Sequence, residues 1–349
     1  MSNIPIFDFA SVKNSSPCEN LKFVQNVDEA CRDIGFFVIK NPPIDLKLIN
    51  KTYALAREFF SLPDSIKMNY YIGHQANHRG YVPPGEEQYG QVQGDPDAET
   101  SVPRELKEGF EIGTYTHCDD LDFLSGVRFL GPNIWPKEIP NFQLTVEKYF
   151  LQTLKFGETL IRVFAKALKV DENIFFNMMR KPISNLRLLH YQAREARIGQ
   201  KYIGIGPHTD SECFTILSTR GTGLQIFNRD ESWVDVPSVE GGVIVNIGDT
   251  LEVWTNGAYV SPQHRVLSST KQRWSLPLFV SPDYFQKIEP LPQLISIGSY
   301  PRYAPFIAGP HKLSEYAKGF RYLKNLARKG LINLETQPNE VSKFTKLNI

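Results

Sequence analysis

The sequence predicts a mainly β chain with flanking helices, built as one β-sandwich wrapped by helical additions. Three observations predict it. Between residues 186 and 280, short apolar runs alternate with Gly, Pro, Asn and Asp at roughly the spacing of a sandwich or barrel. Helical periodicity is confined to the first third of the chain, to residues 144–170 and to the tail. No linker or shift of composition divides the 349 residues, so a single domain over 1–349 is expected. Its parts would be an N-terminal helix and strand region over about 1–110 and a core over 111–300. The helix 144–170 would support that core, and a helical tail would cover 301–349.

Each element has a local reason. Ile4 to Phe9 reads as a short strand. Leu21, Val24, Val27, Ala30, Cys31 and Ile34 recur at helical spacing. Gly35 then releases the chain into the β-rich run Phe36 to Ile39, which Asn41, Pro42 and Pro43 stop. Asp45 to Phe60 is helical again and ends before Pro63. Residues 73–107, rich in Gly, Pro, Gln and charge, read as a long loop, and loops of that length are usually functional or mobile. The middle offers strands at Leu186–Tyr191, Phe214–Leu217, Leu224–Phe227, Trp233–Val236, Gly242–Ile247, His264–Val266 and Trp274–Val280. A helix over Lys312–Arg328 closes the pattern.

Composition limits the partners. Lys and Arg number 39 against 38 Asp and Glu, a net charge of +1. Nucleic acid and membrane surfaces call for a basic excess and are not expected. Cys18, Cys31, Cys118 and Cys213 form no CxxC pair, which excludes a disulfide scaffold and a Cys-rich zinc site. No basic, apolar-cored leader is visible, and no apolar run reaches the ~20 residues of a membrane span. A monomeric cytoplasmic protein acting on a small molecule is the expectation.

The chemistry concentrates after residue 205. His208 and Asp210 are two apart, so on extended backbone they share a face. An imidazole and a carboxylate on one face make two-thirds of a facial metal site, and His264 is the natural third ligand. Two His and one carboxylate leave positions open on Fe(II) for a co-substrate and O2. Arg273 and Ser275 follow, again two apart. A guanidinium grips a carboxylate through two hydrogen bonds, and a nearby hydroxyl donates to the same anion. Together they suit the far end of a dicarboxylic keto acid whose other end chelates the metal.

These motifs stand in order with others: Phe59 to Pro63, Arg79 to Tyr81, Lys107 to Phe110, Leu186 to Tyr191, Asn246 to Asp249 and Trp254 to Gly257. In that order the chain resembles, nearly end to end, the isopenicillin N synthase-like branch of the Fe(II)/2-oxoglutarate-dependent oxygenases. The resemblance implies a double-stranded β-helix (jelly roll) core, with Fe(II) on His208, Asp210 and His264. It places 2-oxoglutarate on Arg273 and Ser275, with the Tyr191 hydroxyl near that co-substrate. It implies oxidation of a small organic substrate by hydroxylation, desaturation or ring closure, with release of succinate and CO2. The chain departs from the usual pattern at Lys40 to Ile44, where an Asn-His-Gly type turn is common, and at Gln192, where proline is common. Alternation puts Arg187 on the face of Tyr191, where a cation would suit an anionic substrate group. Arg79, Tyr81 and Tyr89 in the long loop, and Phe110, are further candidates for substrate contact. Two other readings stay open: an Fe(II) oxidase of the same fold that uses no 2-oxoglutarate, and an inactive jelly roll that binds a ligand or partner.

Overall fold

A computed structural model describes residues 4–12, 17, 20–88, 105, 107–193 and 203–334. Twelve strands carry the architecture: β1 (Ile6–Asp8), β2 (Phe36–Lys40), β3 (Gly80–Val82), β4 (Lys107–Gly113), β5 (Asn185–Tyr191), β6 (Ile203–His208), β7 (Phe214–Arg220), β8 (Leu224–Phe227), β9 (Trp233–Asp235), β10 (Val243–Ile247), β11 (His264–Leu267) and β12 (Arg273–Val280). Eight of them form one sheet in the order β1-β2-β10-β7-β12-β5-β4-β3, and four form a second in the order β6-β11-β8-β9. Only the β1–β2 pair of these is parallel. This is the jelly roll that the strand pattern and the resemblance anticipate.

Alternation along the central strands explains the layering. In β5, Leu186 and Leu188 face one side of the large sheet and join a core with Phe110, Leu278 and the long helix Phe142–Leu168. Leu189 and Tyr191 face the other side and pack with Ile205, Leu224, Ile226 and Val266 of the small sheet. The inward face therefore lies between two sheets, where water is scarce and a site can form. The helices Leu21–Asp33 and Leu46–Ser61 cover the outer face with the long helix. Asn20 and Asp45 start them as N-caps, their side chains accepting from the backbone N–H of Phe23 and Lys47.

The structure departs from expectation in three places. The described part of the 73–107 stretch is not all loop, because β3 pairs with β4 at the sheet edge. β6 escapes the pattern because Gly204, Gly206 and Pro207 are poor strand residues. The tail helix is two helices, Ala308–Gly319 and Arg321–Arg328, parted at Phe320. There the backbone turns extended and bridges Glu87, while Arg321 N–H donates to the Glu86 carbonyl. That pairing replaces the helical bonds that continuity would give.

Gly35 shows how tightly the entrance to β2 is set. Its φ is +67°, and a Cβ there would lie 2.2 Å from the Val260 carbonyl oxygen and 2.8 Å from Pro262 Cδ. Gly35→Ala combines a left-handed backbone with a steric clash, and is expected to destabilise the fold by at least ~1–3 kcal/mol. A drop of several degrees in Tm relative to the parent protein checks this.

Candidate active site

Register brings the candidate ligands together. β11 runs antiparallel to β6 with His264 directly opposite His208. The chain leaves β6 after His208, and the turn that follows carries Asp210. His264 Nε2 lies 3.5 Å from Asp210 Oδ1, and His208 Nε2 lies 3.8 Å from it. The three ligand atoms all lie within 4.8 Å of one another, close enough for one cation to touch all three.

The surroundings decide which atoms face that point. His208 Nδ1–H donates to the Gly206 carbonyl at 2.8 Å and His264 Nδ1–H to the Pro262 carbonyl at 3.3 Å. A carbonyl only accepts, so each ring carries a proton on Nδ1 and turns Nε2 inward, where the neutral ring offers a lone pair to a cation. Asp210 Oδ2 accepts from Thr215 Oγ1 and from Asn246 Nδ2, the latter at 2.7 Å. Thr215 and Asn246 stand directly opposite each other on β7 and β10. Two donors on Oδ2 leave Oδ1 to a metal, so Asp210 is set up to bind through one oxygen and leave neighbouring positions open.

Charge follows the same design. Burial, and then the neighbouring His264, push His208 down to about 4, so it is neutral at pH 7 as a ligand must be. Burial alone would raise Asp210, but the protonated form of His264, itself raised by Asp210 against burial, holds that carboxyl well below the usual range, and a bound cation would take the place of the His264 Nε2 proton. The carboxylate is ionised with or without a cation.

Arg273 lies in the same cavity wall as the triad. It sits opposite Tyr191 in the β12–β5 ladder, with its guanidinium 4.6 Å from the centre of the Tyr191 ring. One Nη donates to Ser275 Oγ at 3.2 Å, while Nε is buried without a hydrogen-bond partner. Only 2% of the residue is exposed, and no carboxylate pairs with it among the described residues. An uncompensated buried charge costs several kcal/mol, which a bound carboxylate would offset. Arg273, Ser275 and Tyr191 thus fit the distal carboxylate of 2-oxoglutarate, and the triad fits Fe(II).

The comparisons with known proteins agree with this geometry. A family model described as the non-haem dioxygenase in morphine synthesis N-terminal region matches residues 4–138, and that of the 2OG-Fe(II) oxygenase superfamily matches residues 183–282. Over 339 residues the chain is 32% identical to the 2-oxoglutarate-Fe(II) type oxidoreductase hxnY of Emericella nidulans, covering 93% of this chain and 94% of that protein. The chain belongs to the 2OG-Fe(II) oxygenase superfamily. It is also 32% identical over 276 residues to the homoarginine-6-hydroxylase 2-ODD-C23.1 of Arabidopsis thaliana, covering 77% of this chain and 79% of that one. Among solved structures, a full-length Neurospora crassa protein in complex with alpha-KG superposes with a TM-score of 0.75 at 27% identity, over 90% of this chain and 96% of that one. The same Neurospora crassa protein with alpha-KG and thymine gives 0.74 at 26%, over 93% and 97%. As a 2OG-Fe(II) oxygenase, the chain is an enzyme that depends on non-haem Fe(II) and 2-oxoglutarate.

For this oxygenase the other candidates fall differently. Arg187 does line the cavity, but not as a free cation: both its Nη atoms donate to Glu87, and its Nε is ion-paired with Glu111. Arg79 is fully buried away from the cavity, donating to the carbonyls of Asn77, His78 and Phe129. It braces the backbone there. Tyr81 donates its hydroxyl to Glu108 at 2.8 Å, and Phe110 packs on Phe59 and Phe142 in the outer core. Neither touches the cavity, because alternation in β3 and β4 turns both to the opposite side of the sheet. Tyr89 lies outside the described residues. His190 is structural, stacked on Trp274 at 4.0 Å and hydrogen-bonded to Glu108. No helix among the described residues is long and apolar enough to cross a membrane.

Reading the sequence does not single out Thr215 and Asn246 as partners of Asp210. Both stand in segments that the motifs include, but only the β7–β10 register places them on one oxygen. Asn246→Ala leaves Oδ2 with one donor, and Fe(II) affinity is expected to fall ~10–100-fold. Anaerobic metal titration measures this, and an unchanged affinity would show that Thr215 alone suffices.

Proposed function

We propose that this enzyme couples the conversion of 2-oxoglutarate to succinate and CO2 to oxidation of a small organic substrate bound in the cavity between the two sheets. In this reading His208, Asp210 and His264 hold Fe(II), and Arg273 with Ser275 holds the distal carboxylate of 2-oxoglutarate over the Tyr191 ring. With O2, the bound metal and co-substrate supply the oxidising power for a C–H bond. The protein's residues do the rest. Thr215 and Asn246 fix the Asp210 oxygen, Gly206 and Pro262 fix the imidazoles, and Phe36, Leu189, Leu217 and Val266 keep the chamber dry. The outcome for the substrate is hydroxylation, desaturation or ring closure.

The observation that carries the proposal is a buried guanidinium, with no carboxylate partner among the described residues, in the same cavity as a two-His, one-carboxylate cluster. We take the whole chain as one working unit. The region 1–110 lends β1, β2 and β3 to the large sheet, and Phe320 and Arg321 of the tail reach back to Glu87 and Glu86. Succinate formation that requires Fe(II), 2-oxoglutarate and O2, and that a substrate accelerates, is the test. Substrate turnover without 2-oxoglutarate would instead mean an oxidase in which Arg273 holds the substrate's own carboxylate.

A further inference from the structure

With Fe(II) and 2-oxoglutarate assigned, few polar side chains remain on the cavity wall for the substrate. Thr215 and Asn246 are engaged with Asp210, and Ser275 sits against Arg273. What is left among the described residues, beside Tyr191, is Arg187 with Glu87.

The two arginines of this cavity differ in one respect that bears on the substrate. Arg273 is buried with no counter-charge among the described residues, whereas Arg187 is buried against two. Glu87 receives both Nη atoms of Arg187, and Glu111, directly across the β5–β4 ladder, pairs with its Nε. Glu87 also pairs with Lys107 at 3.3 Å, and Lys107 with Glu105 at 2.5 Å. Arg187 and Lys107 together hold Glu87 down to about 2 against the effect of burial. It is ionised whenever the enzyme works. Among the described residues this cluster holds two cations and three carboxylates, so Arg187 brings no surplus positive charge to the wall from them.

A carboxylate brought here would face Glu87 at low dielectric, with Arg187 already neutralised. A nitrogen-bearing group meets the opposite situation. Each Nη of Arg187 donates one hydrogen bond to Glu87 and carries a second N–H, while Nε is ion-paired with Glu111. Glu87 Oε1 accepts one hydrogen bond from Arg187 and retains a second lone pair. Donor and acceptor stand side by side.

We propose that the substrate is held at this wall by an uncharged or cationic nitrogen group, its N–H donating to Glu87 and any adjacent carbonyl accepting from Arg187, and that the wall rejects carboxylates. The inference rests on the reading of the site above, in which Arg273 is taken by the co-substrate.

Benzamide, benzamidine and benzoate share size and planarity and differ only in the group in question. The protein is loaded anaerobically with Fe(II), titrated with 2-oxoglutarate, and then titrated with each probe at saturating co-substrate by calorimetry. Benzamide and benzamidine are expected to bind at least ~10-fold more tightly than benzoate. Glu87→Gln keeps the shape and removes the charge, so benzoate should gain ~10-fold and benzamidine should lose its advantage. Benzoate binding as well as benzamide, no binding of any of the three, or an unchanged ranking in a folded E87Q protein overturns the inference. The unsubstituted protein alone settles the ranking if E87Q does not fold. Failure of the first titration, of 2-oxoglutarate into the Fe(II) protein, would reject the reading of the site itself. Normal co-substrate binding with a preference for benzoate would reject only the substrate class.

Discussion

Asp210→Ala is expected to yield a folded protein that no longer retains Fe(II) and forms no succinate above background. Asp210 provides the only anionic atom of the cluster, and its Oδ1 is the atom that both imidazoles face. Loss of a hydrogen-bond partner behind a ligand already costs ~10–100-fold in metal affinity, so loss of the ligand itself should exceed ~100-fold. The variant also leaves Thr215 Oγ1 and Asn246 Nδ2 without their acceptor in a buried site, which is expected to lower stability by about 1–3 kcal/mol. Anaerobic Fe(II) titration beside a thermal melt separates the two effects. Retention of one equivalent of Fe(II) at the parent affinity would remove Asp210 from the ligand set.

Arg273→Gln is expected to leave Fe(II) binding intact and to weaken 2-oxoglutarate binding severely. Removing one partner of a buried charge pair costs about 3–5 kcal/mol, equivalent to at least ~100-fold in Kd. Arg273→Lys keeps the charge but loses the two-pronged fork and the planar contact with Tyr191, so it should fall between the two. Ser275→Ala removes a single hydroxyl and should cost only ~1 kcal/mol, or several-fold. This order, Gln worst, Lys intermediate, Ala at Ser275 mild, is what titration of 2-oxoglutarate into the anaerobic Fe(II) protein would read. Equal affinities for the parent protein and Arg273→Gln would place the co-substrate's carboxylate elsewhere.

The two variants touch the parts of the site most legible in the sequence, and the reason is local chemistry. His208 and Asp210 lie two residues apart, as do Arg273 and Ser275, so residue type and alternation already say that each pair shares a face. The strand edges are nearly as readable, with Leu224–Phe227 matching and most others differing by one to three residues. Where local pattern and pairing disagree, pairing prevails. β6, with two glycines and a proline, forms because β11 lies beside it, and the tail helix breaks at Phe320 because the Glu86–Gln88 backbone takes its hydrogen bonds.

The candidates for substrate contact show the limit most clearly. Arg79, Tyr81, Phe110 and Arg187 are all plausible from their positions, and the fold puts them to three different uses. Arg79 braces backbone, Tyr81 and Phe110 face the outer core, and Arg187 reaches the cavity with its charge already met. By itself the sequence determined the fold class and pointed to the candidate ligands and the arginine–serine pair, because alternation and coordination chemistry act over a few residues. Only the tertiary structure decided that His264 stands opposite His208, that Asp210 turns a single oxygen toward both imidazoles, and that Arg187 meets carboxylates among the described residues while Arg273 meets none there. Glu87 lies 100 positions from Arg187 in the chain. The charge that a buried side chain presents depends on such distant partners, which β-ladder register selects and no local pattern records.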